Sequence, residues 1–347
     1  MKKVLSIVLA LAIVLSLGVV ALADSQTGNP ENANQTMPAN QQNTVNVVKT
    51  YKATNADTTS PAETVAFTFE KVSVADAADG ITLEKMPNLV SVTLAAYAQG
   101  AATTEGSTSN LVITLPAYTG VGVYTYSITE TDGNMAGVKY GANATPIKLV
   151  VTVTQGSSGL LEIAAIHTEG SGDTKSDTFT NEYSAGSLSV AKTVSGNMGD
   201  QSKYFDFTVT LTAPTGDTVG APITISGGSH TSNPTTVATS DWNSSGVATI
   251  SFKLKHGETL TFANIPYGVT YTVDEADYSS EKYTTTGEVD TATAINSAAT
   301  TVTVNNEKKT TPDTGITLDS LPYVLMAVMA MFAAVVIILN KRRASDY

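Results

Sequence analysis

The chain contains no cysteine. No disulfide can brace its fold, no thiolate can act as a nucleophile, and cysteine-based metal sites are excluded. Histidine is almost as scarce: His167, His230 and His256 stand too far apart for metal-ligand spacing and read as surface or turn residues. Charged residues make up only 14% of the chain, the net charge is −12, and no basic patch exists outside the last few residues. Nucleic-acid binding therefore has no electrostatic footprint. There is no nucleophile elbow and no phosphate-cradling glycine loop, so no conventional enzyme site, no cofactor and no metal are expected. The single tryptophan, Trp242 in TSDWNSSG, reads either as an adhesive contact or, more plainly, as a partly buried loop aromatic.

What is present begins at the two ends. Residues 1–23 place Lys2 and Lys3 before a long apolar run that closes on Ala21 and Ala23, the pattern of a cleavable signal peptide; an uncleaved anchor is the alternative. Residues 24–44 are polar and rich in Asn and Gln, and are expected to be a disordered lead-in. Near the C-terminus, 321–339 is an uncharged and mostly apolar stretch of 19 residues, followed by Lys341, Arg342 and Arg343. That length and flank predict a membrane-spanning helix with a cytoplasmic basic end, within a terminal segment 316–347. Immediately upstream lies TPDTG, residues 311–315.

Between these ends, Thr, Val, Ala, Ser and Gly dominate, and short alternating runs recur between Gly, Asn, Asp and Pro. This predicts an all-β fold of two tandem immunoglobulin-like β-sandwich domains, 45–185 and 186–310. The two halves repeat one plan. VNVVKT is matched by LSVAKT, FTFEKV by FDFTVTL, GVYTYSITE by GVTYTVDE, and TFTNEY by TVNNEK. Three polar residues recur in the same order, Lys49, Glu130 and Asn181, then Lys192, Glu275 and Asn306. Side chains two apart share a face of a strand, so Lys49 shares a face with Val45 and Val47, Glu130 with Tyr126 and Ile128, and Asn181 with Phe179. The same parity puts Lys192, Glu275 and Asn306 on apolar faces and turns Asn305 outward.

One account of each buried set is an internal salt bridge with an asparagine partner, whose net contribution would be close to zero after desolvation. Chemistry offers a second account. Burial lowers the pKa of an amine and raises that of a carboxyl, so a neutral pair becomes accessible and the lysine becomes a nucleophile. A protonated glutamate donating to the carboxamide oxygen would then polarise the asparagine carbon, and loss of ammonia would leave a Lys–Asn isopeptide bond.

Taken together, the chain resembles the Gram-positive major (backbone) pilins of the streptococcal T-antigen type. The resemblance rests on the two ordered triads and on the sequence TPDTG, apolar span and basic tail, which is similar to a sortase sorting signal with Thr311 in place of the usual leucine. It implies that each Lys–Asn bond joins the first and last strands of a domain, with Glu130 and Glu275 as catalysts of single intramolecular reactions. It also implies that a sortase cleaves between Thr314 and Gly315 and joins Thr314 to a lysine amine of the next subunit. Lys175, six residues before Asn181, matches the expected acceptor position; Lys52, Lys139 and Lys148 are fallbacks. The implied partners are identical subunits, the sortase, and peptidoglycan or a basal pilin, with a host-surface ligand as an open addition. The implied location is the cell surface, anchored to the wall. A monomeric wall-anchored stalk or adhesin with the same domains is the alternative, and a wall-anchored hydrolase would need a pair of catalytic carboxylates beyond those of the triads.

Overall fold

A computed structural model describes residues 43–141, 146–170, 178–311 and 321–344. The first 42 residues, including the expected signal peptide and most of the lead-in, lie outside the described residues, as do Lys175 and residues 312–320. The described chain is mostly β. The first half comprises β1 (Thr44–Ala53), β2 (Ala66–Ala75), β3 (Val92–Thr93), β4 (Ser107–Thr114), β5 (Gly122–Glu130), β6 (Val138–Tyr140), β7 (Ile147–Gln155), β8 (Leu161–Glu169) and β9 (Thr178–Tyr183). The second comprises β10 (Ala185–Ser195), β11 (Phe205–Thr212), β12 (Ile223–Gly227), β13 (Thr236–Val237), β14 (Val247–Leu254), β15 (Thr259–Pro266), β16 (Thr270–Glu275), β17 (Thr284–Thr286), β18 (Val289–Ala294) and β19 (Ala299–Glu307).

Strict alternation explains how these strands pack. In β5, buried and half-buried positions alternate without a break, and β10 does the same from Gly186 onward. Each strand thus offers one apolar face, which must be covered by a second sheet. In the first half, a sheet ordered β4-β1-β9-β6 faces one ordered β3-β2-β5-β7-β8. Val47, Tyr51, Leu111 and Phe179 from the former close on Phe67, Tyr126, Ile128 and Val151 from the latter in one core. In the second half, β13-β12-β15-β10-β19-β17 faces β14-β11-β16-β18 around a separate core. Both halves are β-sandwich-like.

One topological feature positions the site. The first strand of each half pairs in parallel with its last: β1 with β9, and β10 with β19. All their other pairings within the sheets are antiparallel. Because β9 runs into β10 with only Ser184 between them, the two halves abut. Asn264 joins them: its Nδ2 donates to Thr59 O at 2.9 Å, and Thr59 N donates back to its Oδ1 at 2.9 Å. Ala136 of the first half packs into the second core, and its N–H donates to Thr218 O at 2.9 Å.

The C-terminal helix, α1 (Leu321–Ala344), spans 24 residues. Its described side chains from 322 to 338 are uncharged and exposed, a run of about 25 Å at 1.5 Å per residue, against about 30 Å for a bilayer core. Among the described residues no helix is long and apolar enough to cross a membrane.

Candidate functional site

The parallel pairing of first and last strands places a lysine beside an asparagine twice, in the same register. In β1·β9, Lys49 lies opposite Phe179, two residues before Asn181; in β10·β19, Lys192 lies opposite Val304, two residues before Asn306. The glutamates come from the facing sheets, and here too the copies agree: Glu130 pairs with Phe67, and Glu275 with Phe207. The residues that parity placed on apolar faces therefore meet twice at equivalent strand positions. Lys49, Asn181 and Asn306 are wholly buried, and Lys192 and Glu130 are nearly so.

In the first centre Lys49 Nζ lies 2.9 Å from Glu130 Oε1 and 3.0 Å from Oε2. Asn181 Nδ2 donates to Glu130 Oε1 at 2.6 Å. The carboxyl thus bridges the amine to the amide nitrogen that would leave. This differs from the contact expected from sequence, in which the glutamate donates to the carboxamide oxygen. That oxygen is taken by a backbone donor, the N–H of Gly141 at 3.4 Å, which also donates to Thr180 O at 3.1 Å. Only glycine permits this approach, since a Cβ on residue 141 would stand 2.2 Å from Thr180 O. Burial lowers the pKa of the Lys49 ammonium, with Glu130 opposing the shift.

The second centre is looser. Lys192 Nζ lies 2.7 Å from Glu275 Oε1, with both side chains inaccessible, but the contact is out of line for a hydrogen bond. The ammonium also sits 4.3 Å from the centre of the Phe205 ring. Asn306 makes no hydrogen bond through either carboxamide atom. Burial again lowers the lysine, with Glu275 opposing it. Asn305 points away, its Oδ1 accepting from Thr193 at 3.0 Å and its Nδ2 donating to Ser195 at 3.1 Å.

Residues 27–184 match the family described as Spy0128-like isopeptide containing domain, and residues 186–308 match a domain of unknown function, DUF7601. A pilin of Streptococcus pyogenes serotype M1 is 30% identical over 240 residues, covering 63% of this chain and 68% of its own. The chain belongs to the streptococcal pilin family. Among solved structures, the major pilin of Streptococcus pyogenes is similar with a TM-score of 0.50 at 25% identity, over 77% of this chain and 99% of the other. The T3.2 major pilin of the same species gives a TM-score of 0.50 at 23% identity, over 77% and 98%, and so shares the fold.

Other candidates fall outside the two centres of this pilin. Lys175, Thr314 and Gly315 lie outside the described residues, and Thr311 is exposed. The fallback lysines face acidic residues in their sheets: Lys52 and Lys139 both pair with Glu182, and Lys148 pairs with Glu169. Trp242 packs against the second core.

Besides Gly141, two residues of the first centre were not foreseen, Glu63 and Tyr140. Glu63 is 2% exposed, accepts from Tyr140 OH at 2.7 Å through Oε1, and has no partner for Oε2. Burial raises its pKa; the Tyr140 hydrogen bond opposes that, and the negative charge of Glu130 adds to it. Tyr140 stands opposite Asn181 in β6·β9. Glu63 sits in a connecting segment with a single bridge to Tyr97, so no periodic pattern marked it as buried.

Proposed function

We propose that this chain is the structural shaft subunit of a covalently polymerised cell-surface pilus, and that each half locks itself with a Lys–Asn isopeptide bond. The observation that carries the reading is the repeated burial of a lysine and an asparagine on parallel-paired first and last strands in one register, each met by a glutamate from the facing sheet. In the first centre Glu130 already touches both reacting side chains, Lys49 and Asn181. Lys49, whose ammonium is made easier to deprotonate by burial, passes a proton to Glu130 and attacks Cγ of Asn181 while the Gly141 N–H supports the developing charge on Oδ1. Glu130 delivers that proton to Nδ2. The Nζ–Cγ bond forms, the Cγ–Nδ2 bond breaks, and ammonia leaves. Lys192, Glu275 and Asn306 perform the same step in the second centre, once per chain and with no turnover.

The two halves are best read as immunoglobulin-like sandwich domains, 45–185 and 186–310. Tension entering by a first strand and leaving by a last would pass through the cross-link and bypass the strands between. Export by the N-terminal signal, a membrane stop at 321–339, sortase cleavage between Thr314 and Gly315, and transfer to Lys175 complete the reading, with anchoring to peptidoglycan or a basal pilin.

Two measurements test it. The intact mass should fall below the calculated value by two ammonia molecules; a full calculated mass overturns the cross-links. Wall extracts boiled in detergent with reductant should show a covalent ladder that collapses to monomer in Lys175→Ala. A single band in the unmutated strain would instead indicate a monomeric wall-anchored stalk.

A further inference from the structure

In each half the last strand is flanked by a short edge strand, and that strand carries a hydroxyl in register with the bonding asparagine. Tyr140 of β6 faces Asn181, and Thr285 of β17 faces Asn306. The two hydroxyls serve different carboxyls. Tyr140 donates to Glu63, whereas Thr285 Oγ1 donates directly to Glu275 Oε2 at 3.2 Å.

The difference matters because the two catalytic carboxyls are held by different means. Glu130 is oriented by aligned bonds from both Lys49 and Asn181. Glu275 has neither aligned bond: Lys192 Nζ lies against Oε1 at 2.7 Å but out of line, and neither carboxamide atom of Asn306 is hydrogen-bonded. Among the described residues, the one aligned hydrogen bond to its carboxyl comes from Thr285. Its backbone N–H is tied separately, to Glu288 Oε1 at 2.7 Å, which holds the strand and not the carboxyl.

We infer that Thr285 is the positioning residue of the second cross-linking centre, holding Oε2 of Glu275 so that Oε1 stays against Lys192 throughout proton transfer. A hydroxyl suits this task because it donates to a carboxylate and accepts from a carboxylic acid, so it remains bonded in both protonation states of the relay. The atoms balance as in the first centre. A proton passes from Nζ of Lys192 to Oε1 and on to Nδ2 of Asn306, Nζ–Cγ forms, Cγ–Nδ2 breaks, and ammonia leaves with no change of oxidation state.

The inference rests on the cross-link reading, and one experiment separates the two. The full-length chain is made by cell-free synthesis, quenched at intervals, and analysed by intact mass and by proteolytic mapping of each bond. In Thr285→Val, which keeps the side-chain volume, the second bond should form at least about tenfold more slowly, as expected for loss of a hydrogen bond to a charged group, while the first forms at the wild-type rate. Thr285→Ser should restore the second rate. A role in stability alone would move the melting temperature and leave the rate in place. Wild-type kinetics of the second bond in folded Thr285→Val overturns the inference while the cross-links stand. A wild-type chain of full calculated mass overturns both.

Discussion

Replacing Glu130 by glutamine keeps the volume and polarity of the side chain but removes its capacity to relay a proton. Lys49 and Asn181 would then remain unlinked, and the chain would lose one ammonia instead of two. The energetic consequence follows from the topology. The proposed bond would join residues about 130 apart, and the chain-entropy description of a closed loop that long gives about 5 kcal/mol of stabilisation. Glu130→Gln also leaves the Lys49 ammonium buried without its counter-charge, which adds a cost of several kcal/mol unless the amine sheds its proton. Closure alone corresponds to a melting temperature lower by about 10–20 °C for a unit of this size. The second half retains its own loop of about 115 residues and should keep its transition, so calorimetry of the variant should separate two transitions while intact mass reports the missing bond. A Glu130→Gln chain that still loses two ammonia molecules would refute the assignment of Glu130, and an unshifted first transition in an unlinked chain would refute the loop-closure magnitude.

Three further outcomes follow from named contacts. Glu63 has a folded pKa above its ordinary value of 4.5, so the folded state holds a proton that the unfolded chain releases; the contribution to stability is complete below pH 4.5 and is lost as pH rises through the folded pKa. Denaturant titration of the first half should show this decline in wild type and a flatter profile in Glu63→Gln. Asn264→Ala removes the paired bonds to Thr59 and should lower stability by about 2 kcal/mol and widen the range of inter-half orientations seen by small-angle scattering; an unchanged scattering profile would show that Ala136 and Thr218 suffice as the joint. Gly141→Ala forces the backbone away from Thr180 and should slow the first cross-link by about tenfold while sparing the second, as read by mapped mass; equal rates would remove Gly141 from the reaction.

Much of the centre was legible because β-strands make a strong statement about faces. Lys49, Lys192 and Asn181 each continue an apolar alternation, and a charged or amide side chain at such a position must be buried. The choice of Asn306 over Asn305 followed from parity alone, and the structure buries the former while the latter bonds to Thr193 and Ser195. What escaped lies where alternation fails. Asn264 has a φ of 70° close to a register shift in β10·β15, and Glu63 occupies a connecting segment, so neither position had a predictable face.

The sequence by itself determined two copies of a buried lysine, glutamate and asparagine, because a period of two fixes which side of a strand each residue occupies. Only the tertiary structure decided which strands lie together: the parallel pairing of first with last is a long-range choice that no local period records. It also decided that the amide nitrogen of Asn181, and not its oxygen, meets Glu130. That orientation depends on a backbone donor from Gly141, brought in by the packing of an edge strand 40 residues away in the chain.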